Sequence, residues 1–283
     1  MGRVSVDDDK TLADSGFFWR EREGVKVLVS RSLEDAGFAN GFSTRLGGVS
    51  PFPQNDLNLA GFGEDTRENI EENRRRFLQV FGGGYSLATV WQVHGDLIKT
   101  AATLAEAADG DDRADGLMSD LTGILAGVKT ADCVPVLIGD RRNGAFAAIH
   151  AGWRGTAASI VSKAVGKLNQ VYNSGPADLV ATIGPSAGCQ SYEVGKEVID
   201  AFRQNIGGSE KYFAATRPGH ALVDLPTANR DQLLGAGVPA EQISVAPLCT
   251  ILGTDLFFSY RIEKKIYGKT GRLLSVIGRD ERI

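Results

Sequence analysis

Histidine and cysteine are both scarce in this chain, with three of each in 283 residues. Three cysteines, odd in number and far apart, speak against a disulfide framework. They fit a reducing compartment in which thiols serve as ligands, nucleophiles or packing groups. Long apolar runs are missing, and Met1–Lys10 is polar and acid-rich, without the positive start and apolar core of a signal peptide. No membrane partner is therefore expected, and the expected location is the cytoplasm. Basic blocks are missing too. Arg74-Arg75-Arg76 is the densest cluster in a chain of formal charge −4, and it reads as the solvated face of a helix, so no nucleic-acid groove is expected. Glycine is the one residue in excess, at 35 of 283, roughly 12% against a usual 7%. Many tight turns and close backbone approaches follow from it.

Segment by segment, the chain reads as alternating strands and helices. Val25–Val29 is a strand, and Gly41–Ser50 ends another in a glycine turn that carries Arg45. Asp65, with Glu68 three residues on, caps a helix whose apolar stripe is Ile70, Phe77, Leu78 and Phe81. Thr89–Val93 is strand-like and breaks at His94-Gly95. Asp109–Arg113 is an acidic surface loop, and Gly123–Val128 is a short buried strand followed by the turn Thr130–Cys133. Val134–Ile138 continues as a strand, Asn143-Gly144 is a strong hairpin signal, and Ala145–Ile149 pairs back.

A helix with apolar positions Ile160, Val161, Ala164, Val165, Leu168 and Val171 follows Ala151–Thr156. The strand Ala177–Ile183 then leads through a glycine-rich loop to a helix with Val194, Val198, Ile199, Phe202 and Ile206. That loop matches neither nucleotide-binding glycine pattern. Asp224 caps a further helix with Pro226 in its first turn, and Ile243–Val245 and Leu273–Ile277 are strands. The economical reading is an α+β fold: a single domain over residues 25–283, with a mixed, mostly antiparallel sheet and flanking helices, after a flexible N-terminal segment 1–24.

Chemistry concentrates at strand ends. The Asn143-Gly144 hairpin puts Cys133 before its first strand and His150 after its second, so the two meet at its open end. With His94, they offer a thiolate and two imidazoles. That is three-quarters of a tetrahedral zinc shell, with the fourth position left for chemistry. Taken singly, Cys133 also suits a small buried hydrophobe and either histidine a hydrogen-bonded structural residue. Arg154 adjoins a helix N-terminus, where exposed N–H groups favour an anion, although it could equally pair with a surface carboxylate. Asp132 could shuttle protons or bond to the backbone of its turn.

Several motifs carry a resemblance. Phe42-Ser43-Thr44-Arg45 with Gly47–Ser50, Asn58-Leu59, Gln92-Val93-His94-Gly95, Ala114-Asp115-Gly116, Thr130–Pro135, His150–Gly155, Tyr192-Glu193-Val194, Asp224-Leu225, Cys249-Thr250 and Phe258–Arg261 together resemble the laccase-domain, YfiH-like family, formerly termed multicopper polyphenol oxidases. The match runs in order across roughly residues 40 to 280. The resemblance implies a YfiH-like/CNF1-like fold and a zinc-dependent purine nucleoside phosphorylase. Its small-molecule substrates would be phosphate and adenosine, inosine or methylthioadenosine, with an accompanying adenosine deaminase activity. It also implies a role in peptidoglycan editing for some members.

The family's metal ligands fall on His94, Cys133 and His150, and a monomer or homodimer is expected. Cys189-Gln190-Ser191-Tyr192 departs from the family by lacking its paired cysteines. Catalysis would then use Arg45 and Arg154 as a phosphate cradle, with Asp132 and Cys133 at the metal. Trp91 and Trp153 could stack on a purine or pack in the core.

Two other chemistries share these residues. Cys133 with His150 as base would make a thiol hydrolase of peptidoglycan precursors. Copper in the same site, with Met118 as an axial ligand, would echo the older oxidase label. A multicopper centre needs more imidazoles than the remaining His220 supplies. A metal-holding interaction module without catalysis would leave the open coordination position unexplained.

Overall fold

The computed structural model describes residues 9–52, 56–60 and 65–279. Two six-stranded sheets form the centre. The first runs Phe17–Arg22, Val25–Ser30, Phe38–Ser43, Leu273–Arg279, Ile124–Thr130 and Ser86–Ala88. The second runs Ile243–Val245, Leu179–Ile183, Val134–Asp140, Phe146–Ala151, Gly116–Ser119 and Ile98–Thr100. Pairing is antiparallel except at three edges, where 86–88, 98–100 and 243–245 add on parallel. A small antiparallel sheet of Glu193–Gly195, His220–Val223 and Phe213–Arg217 lies apart. The α+β class with mostly antiparallel mixed sheet and flanking helices holds, with the sheet divided in three.

Period-two alternation makes the layers. In Phe146–Ala151, Phe146 and Ala148 join Phe38, Phe42, Leu137 and Val180 in a core between the two large sheets. Ala147, Ile149 and Ala151 instead face Ile160, Val161, Ala164 and Leu168 of the helix Ile160–Tyr172. The first sheet's outer face is covered by the helix Arg67–Gln79 and the residues after it, through Phe77, Val80 and Phe81. By the same alternation His150 belongs to the inter-sheet face, at the strand's end.

Local outcomes differ from expectation in instructive ways. Phe17–Arg22 pairs along its length with Val25–Ser30, so residues 9–22 belong to the fold, and residues 1–8 lie outside the described residues. The helix cap moves one residue on. Thr66 Oγ1 accepts from Asn69 N–H, while Asp65 Oδ1 takes Thr66 N–H and the Asn69 side chain. The Asn143-Gly144 hairpin forms with Pro135 opposite His150, over the four-residue loop 141–144, and His150 lies within its second strand, not after it. Asp140 N–H reaches Ala145 O at 2.7 Å, and Gly144 takes φ +80.

The single helix expected after His150 is two. Trp153–Ala157 ends at a left-handed Ser159, φ +60, before Ile160–Tyr172 begins, and Val171 is exposed. Val194 sits in the short strand Glu193–Gly195, not in the helix Lys196–Asn205 that follows. Thr89–Val93 is not a strand. The ladder ends at Ala88, and Trp91 makes one isolated bridge, to Arg113. The reason is that Gln92 and the N–H groups of 93–95 find side-chain and cross-strand partners instead: the Gln92 amide both donates to Lys129 O at 2.7 Å and accepts from Lys129 N–H at 2.8 Å.

Candidate metal centre and active site

Three separate chain reversals deliver the three ligand candidates. His94 stands at φ +60, a left-handed backbone uncommon for residues other than glycine. Cys133 follows Asp132, itself at φ +83, as the chain turns into Val134–Asp140. His150 lies opposite Pro135 in the hairpin. One ligand atom from each of His94, Cys133 and His150 lies within 4.8 Å of the others, the spread a single metal ion bridges. The imidazoles meet edge to face, centroids 4.9 Å apart. Gly152 completes the fit: a Cβ there would come within 3.2 Å of Cys133 Sγ and 3.3 Å of His94 Cδ2. Two nitrogens and one thiolate suit zinc or copper better than a hard oxygen-seeking cation.

The electrostatics support a deprotonated sulfur. Burial pushes the Cys133 thiol up. The neighbouring His150 charge and hydrogen bonds from His150 and His94 overcome that and hold it down at about 6. Burial pulls His150 down, but the Cys133 thiolate and Asp115 raise it to about 9. Without metal the pair is therefore a thiolate and an imidazolium at neutral pH, and loading a cation releases the imidazolium proton. Since thiolate is the reactive form, iodoacetamide is expected to modify Cys133 of chelated protein with a midpoint near pH 6. Peptide mapping across a pH series would read this out. A midpoint near the ordinary 9.0 would contradict it.

Asp115, to which the sequence reading gives no role, stands against the ligand set. It is fully buried, and its Oδ1 lies 2.8 Å from His150 Nδ1. The available signals were the Ala114-Asp115-Gly116 motif and the rule that a ligating histidine hands its other nitrogen to a carboxylate.

The ligand set opens onto a cavity of about 1330 Å³. Trp91, Trp153, Tyr192 and Tyr260 give it aromatic faces, while Lys129, Arg154, Arg261 and Arg272 give it positive charge. Trp91 is 60% exposed and Tyr260 50%, so neither packs in the core. Trp153 is half-buried, with the Arg154 guanidinium 4.1 Å over its ring.

Of the expected catalytic residues, Asp132, Cys133 and Arg154 line the cavity and Arg45 does not. Arg154 lines the cavity and pairs at its exposed rim with Glu197, 3.2 Å away. Asp132 also lines it, but its carboxylate reaches past its own turn, accepting from Thr250 Oγ1, Ser259 Oγ and Arg261 N–H at 2.7, 3.0 and 2.7 Å. Burial nevertheless pushes Asp132 above the usual carboxylate range. Arg45, expected in a phosphate cradle, is not among the cavity-lining residues. It is buried in a fork to Asp56 (3.0 and 2.8 Å), with Glu263 at 2.9 Å, Thr254 O at 2.8 Å and the Phe258 ring beneath. Met118 is fully buried in the core and does not line the cavity. His220 stands on the separate small sheet, its Nδ1 3.2 Å from Pro218 O.

Residues 39–280 match the model of the multi-copper polyphenol oxidoreductase laccase family. The chain belongs to this family. Its relatives include the purine nucleoside phosphorylase YlmD of Geobacillus stearothermophilus, 35% identical over 257 residues, 87% of this chain and 92% of the relative. The purine nucleoside phosphorylase YfiH of Escherichia coli is 35% identical over 254 residues, covering 89% of this chain and 98% of the relative. The crystal structure of the Geobacillus YlmD superposes with a TM-score of 0.85 at 34% identity, over 94% of this chain and 99% of that one. Despite the family's multi-copper title, His94, Cys133 and His150 form the one candidate ligand cluster among the described residues. No helix among them is long and apolar enough to cross a membrane.

Proposed function

We propose that this chain is a purine nucleoside phosphorylase that uses zinc. It would convert adenosine, inosine or methylthioadenosine, with phosphate, into free base and the ribose 1-phosphate, with adenosine deamination as a side activity. The observation that carries the reading is one wall holding His94, Cys133 and His150 in a cavity that also presents aromatic faces and several cations.

In phosphorolysis, a phosphate oxygen bonds to C1′ as the C1′–N9 bond breaks and the purine leaves with a proton. The cavity's cations, Arg154 among them, lower the cost of bringing an anion to the reacting carbon. Trp91 and Trp153 line the cavity and offer aromatic faces for the base. When bound, zinc supplies Lewis acidity beside the reacting groups. For deamination, Asp132 is the carboxylate next to the ligand Cys133 in the chain; it is among the cavity-lining residues, and its burial favours holding a proton. Arg45 serves as scaffold in this reading, its donors already committed.

The test is incubation of purified protein of known zinc content with adenosine, with and without phosphate. Adenine and ribose 1-phosphate are expected only with phosphate, beside a slower yield of inosine. Adenine and free ribose at equal rates in both would contradict phosphorolysis.

A second reading has its own observation. Cys133, His150 and Asp115 line up as nucleophile, base and orienting carboxylate, the arrangement of a thiol hydrolase such as one editing peptidoglycan precursors. Metal removal would leave that activity intact. A copper-loaded polyphenol oxidase is the weaker alternative, because Met118 and His220 stand away from the cavity.

A further inference from the structure

We infer that Asp115 is the positioning residue of the metal centre: one buried carboxylate fixes both the ring of His150 and the backbone that presents His94. The inference rests on reading His94, Cys133 and His150 as a metal site.

Asp115 immediately precedes the strand Gly116–Ser119, next to the end of Phe146–Ala151 that carries His150. Its carboxylate accepts from four donors. Oδ1 takes His94 N–H at 2.9 Å and lies 2.8 Å from His150 Nδ1. Oδ2 takes Gly95 N–H at 2.6 Å and Val93 N–H at 3.3 Å. Three successive backbone N–H groups converging on one anion form a nest. Here the nest requires the left-handed turn at His94, φ +60, a conformation costing on the order of 1 kcal/mol for a residue other than glycine. Such strain persists only where its surroundings over-determine it, and the Asp115 carboxylate supplies that determination.

The same residue holds His150 twice. His150 N–H donates to the Asp115 main-chain carbonyl at 2.7 Å, and the ring's Nδ1 meets the carboxylate. A proton held on Nδ1 by Asp115 leaves the Nε2 lone pair for a cation, which fixes tautomer and ring plane together. Oδ1 is shared between the ring of one histidine and the backbone of the other, so disturbing this oxygen disturbs both nitrogen ligands. Partners of this kind typically contribute 10- to 100-fold in metal affinity.

Asp115→Asn keeps the side chain's shape while replacing one accepting oxygen with an amide that cannot accept. In the full chain, its zinc dissociation constant is expected to rise roughly 10- to 100-fold in competition with a chromophoric chelator. The visible absorption of the cobalt(II)-substituted variant is expected to change shape. Wild-type zinc affinity and an unaltered cobalt spectrum, with only a lower unfolding midpoint, would reduce Asp115 to a structural role and overturn the inference while leaving the metal site standing. A wild-type protein that fails to hold stoichiometric zinc in the same titration would overturn both.

A measurement on the wild type covers the case in which Asp115→Asn does not fold. Histidine nitrogen NMR of the zinc-loaded protein is expected to show His150 protonated at Nδ1 and bare of a proton at Nε2. The reverse tautomer would overturn the inference.

Discussion

Cys133→Ser is expected to weaken zinc binding by on the order of a hundredfold or more and to reduce phosphorolysis to background. Structural zinc sites with four protein ligands are worth about 10–16 kcal/mol, so one ligand represents about 3 kcal/mol, roughly two powers of ten. Serine replaces a thiolate held near pH 6 with a hydroxyl that stays neutral, leaving two imidazoles to hold the ion. The fold has little stake in the change. Cys133 is half-buried in a turn, whereas the hairpin beneath it is held by its own ladder and by Ala147, Ile149 and Val136. Zinc content after dialysis and an unfolding curve of the metal-free protein separate the two effects. Stoichiometric zinc retained by Cys133→Ser would contradict the ligand assignment.

Arg45→Ala is expected to be the most destabilising single substitution among the polar residues considered, at about 3–5 kcal/mol, the cost of removing one partner from a buried ion pair. The change strands two buried carboxylates, Asp56 and Glu263, and removes the cation over Phe258. Neighbouring anchors amplify the loss. Glu263 lies in the helix Tyr260–Tyr267, whose N-cap Ser259 also donates to Asp132, so that helix ties the Arg45 cluster to the cavity wall. Urea unfolding gives the magnitude, and the phosphate KM of the folded variant gives the contrast. Unchanged stability together with a phosphate KM raised at least tenfold would return Arg45 to the phosphate cradle.

These two residues show what the sequence disclosed and what it withheld. Cys133 and His150 are legible as neighbours because a hairpin is local: Asn143-Gly144 marks the turn and brings its two ends together, although the register depends on the loop's length, which the dipeptide does not give. His94-Gly95 was legible as a chain break for the same reason. The fate of Arg45 was not. A side chain at a glycine turn looks free until Glu263, more than two hundred residues away, is brought against it by Leu273–Arg279 pairing with Phe38–Ser43. The partners of Asp132 are hidden in the same way, because an aspartate in a Thr-Ala-Asp turn suggests local bonds while its hydrogen-bond donors come from 250–261.

Asp115 stands in the motif Ala114-Asp115-Gly116, but its contacts depend on two strand ends meeting, which periodicity does not reveal. The strand expected at Thr89–Val93 failed where side chains replaced a ladder. Gln92 bonds to Lys129, and Asp115 draws the next three N–H groups into a nest.

The central claim is that His94, Cys133 and His150 hold a metal on which nucleoside phosphorolysis depends. The most direct measurement is ribose 1-phosphate formation from adenosine and phosphate by one protein preparation in three states: as purified, after exhaustive chelation, and after return of one equivalent of zinc. The expected result is activity, loss of at least tenfold, and recovery in step with zinc bound. A chelated, metal-free protein that turns over adenosine at the original rate would contradict the account.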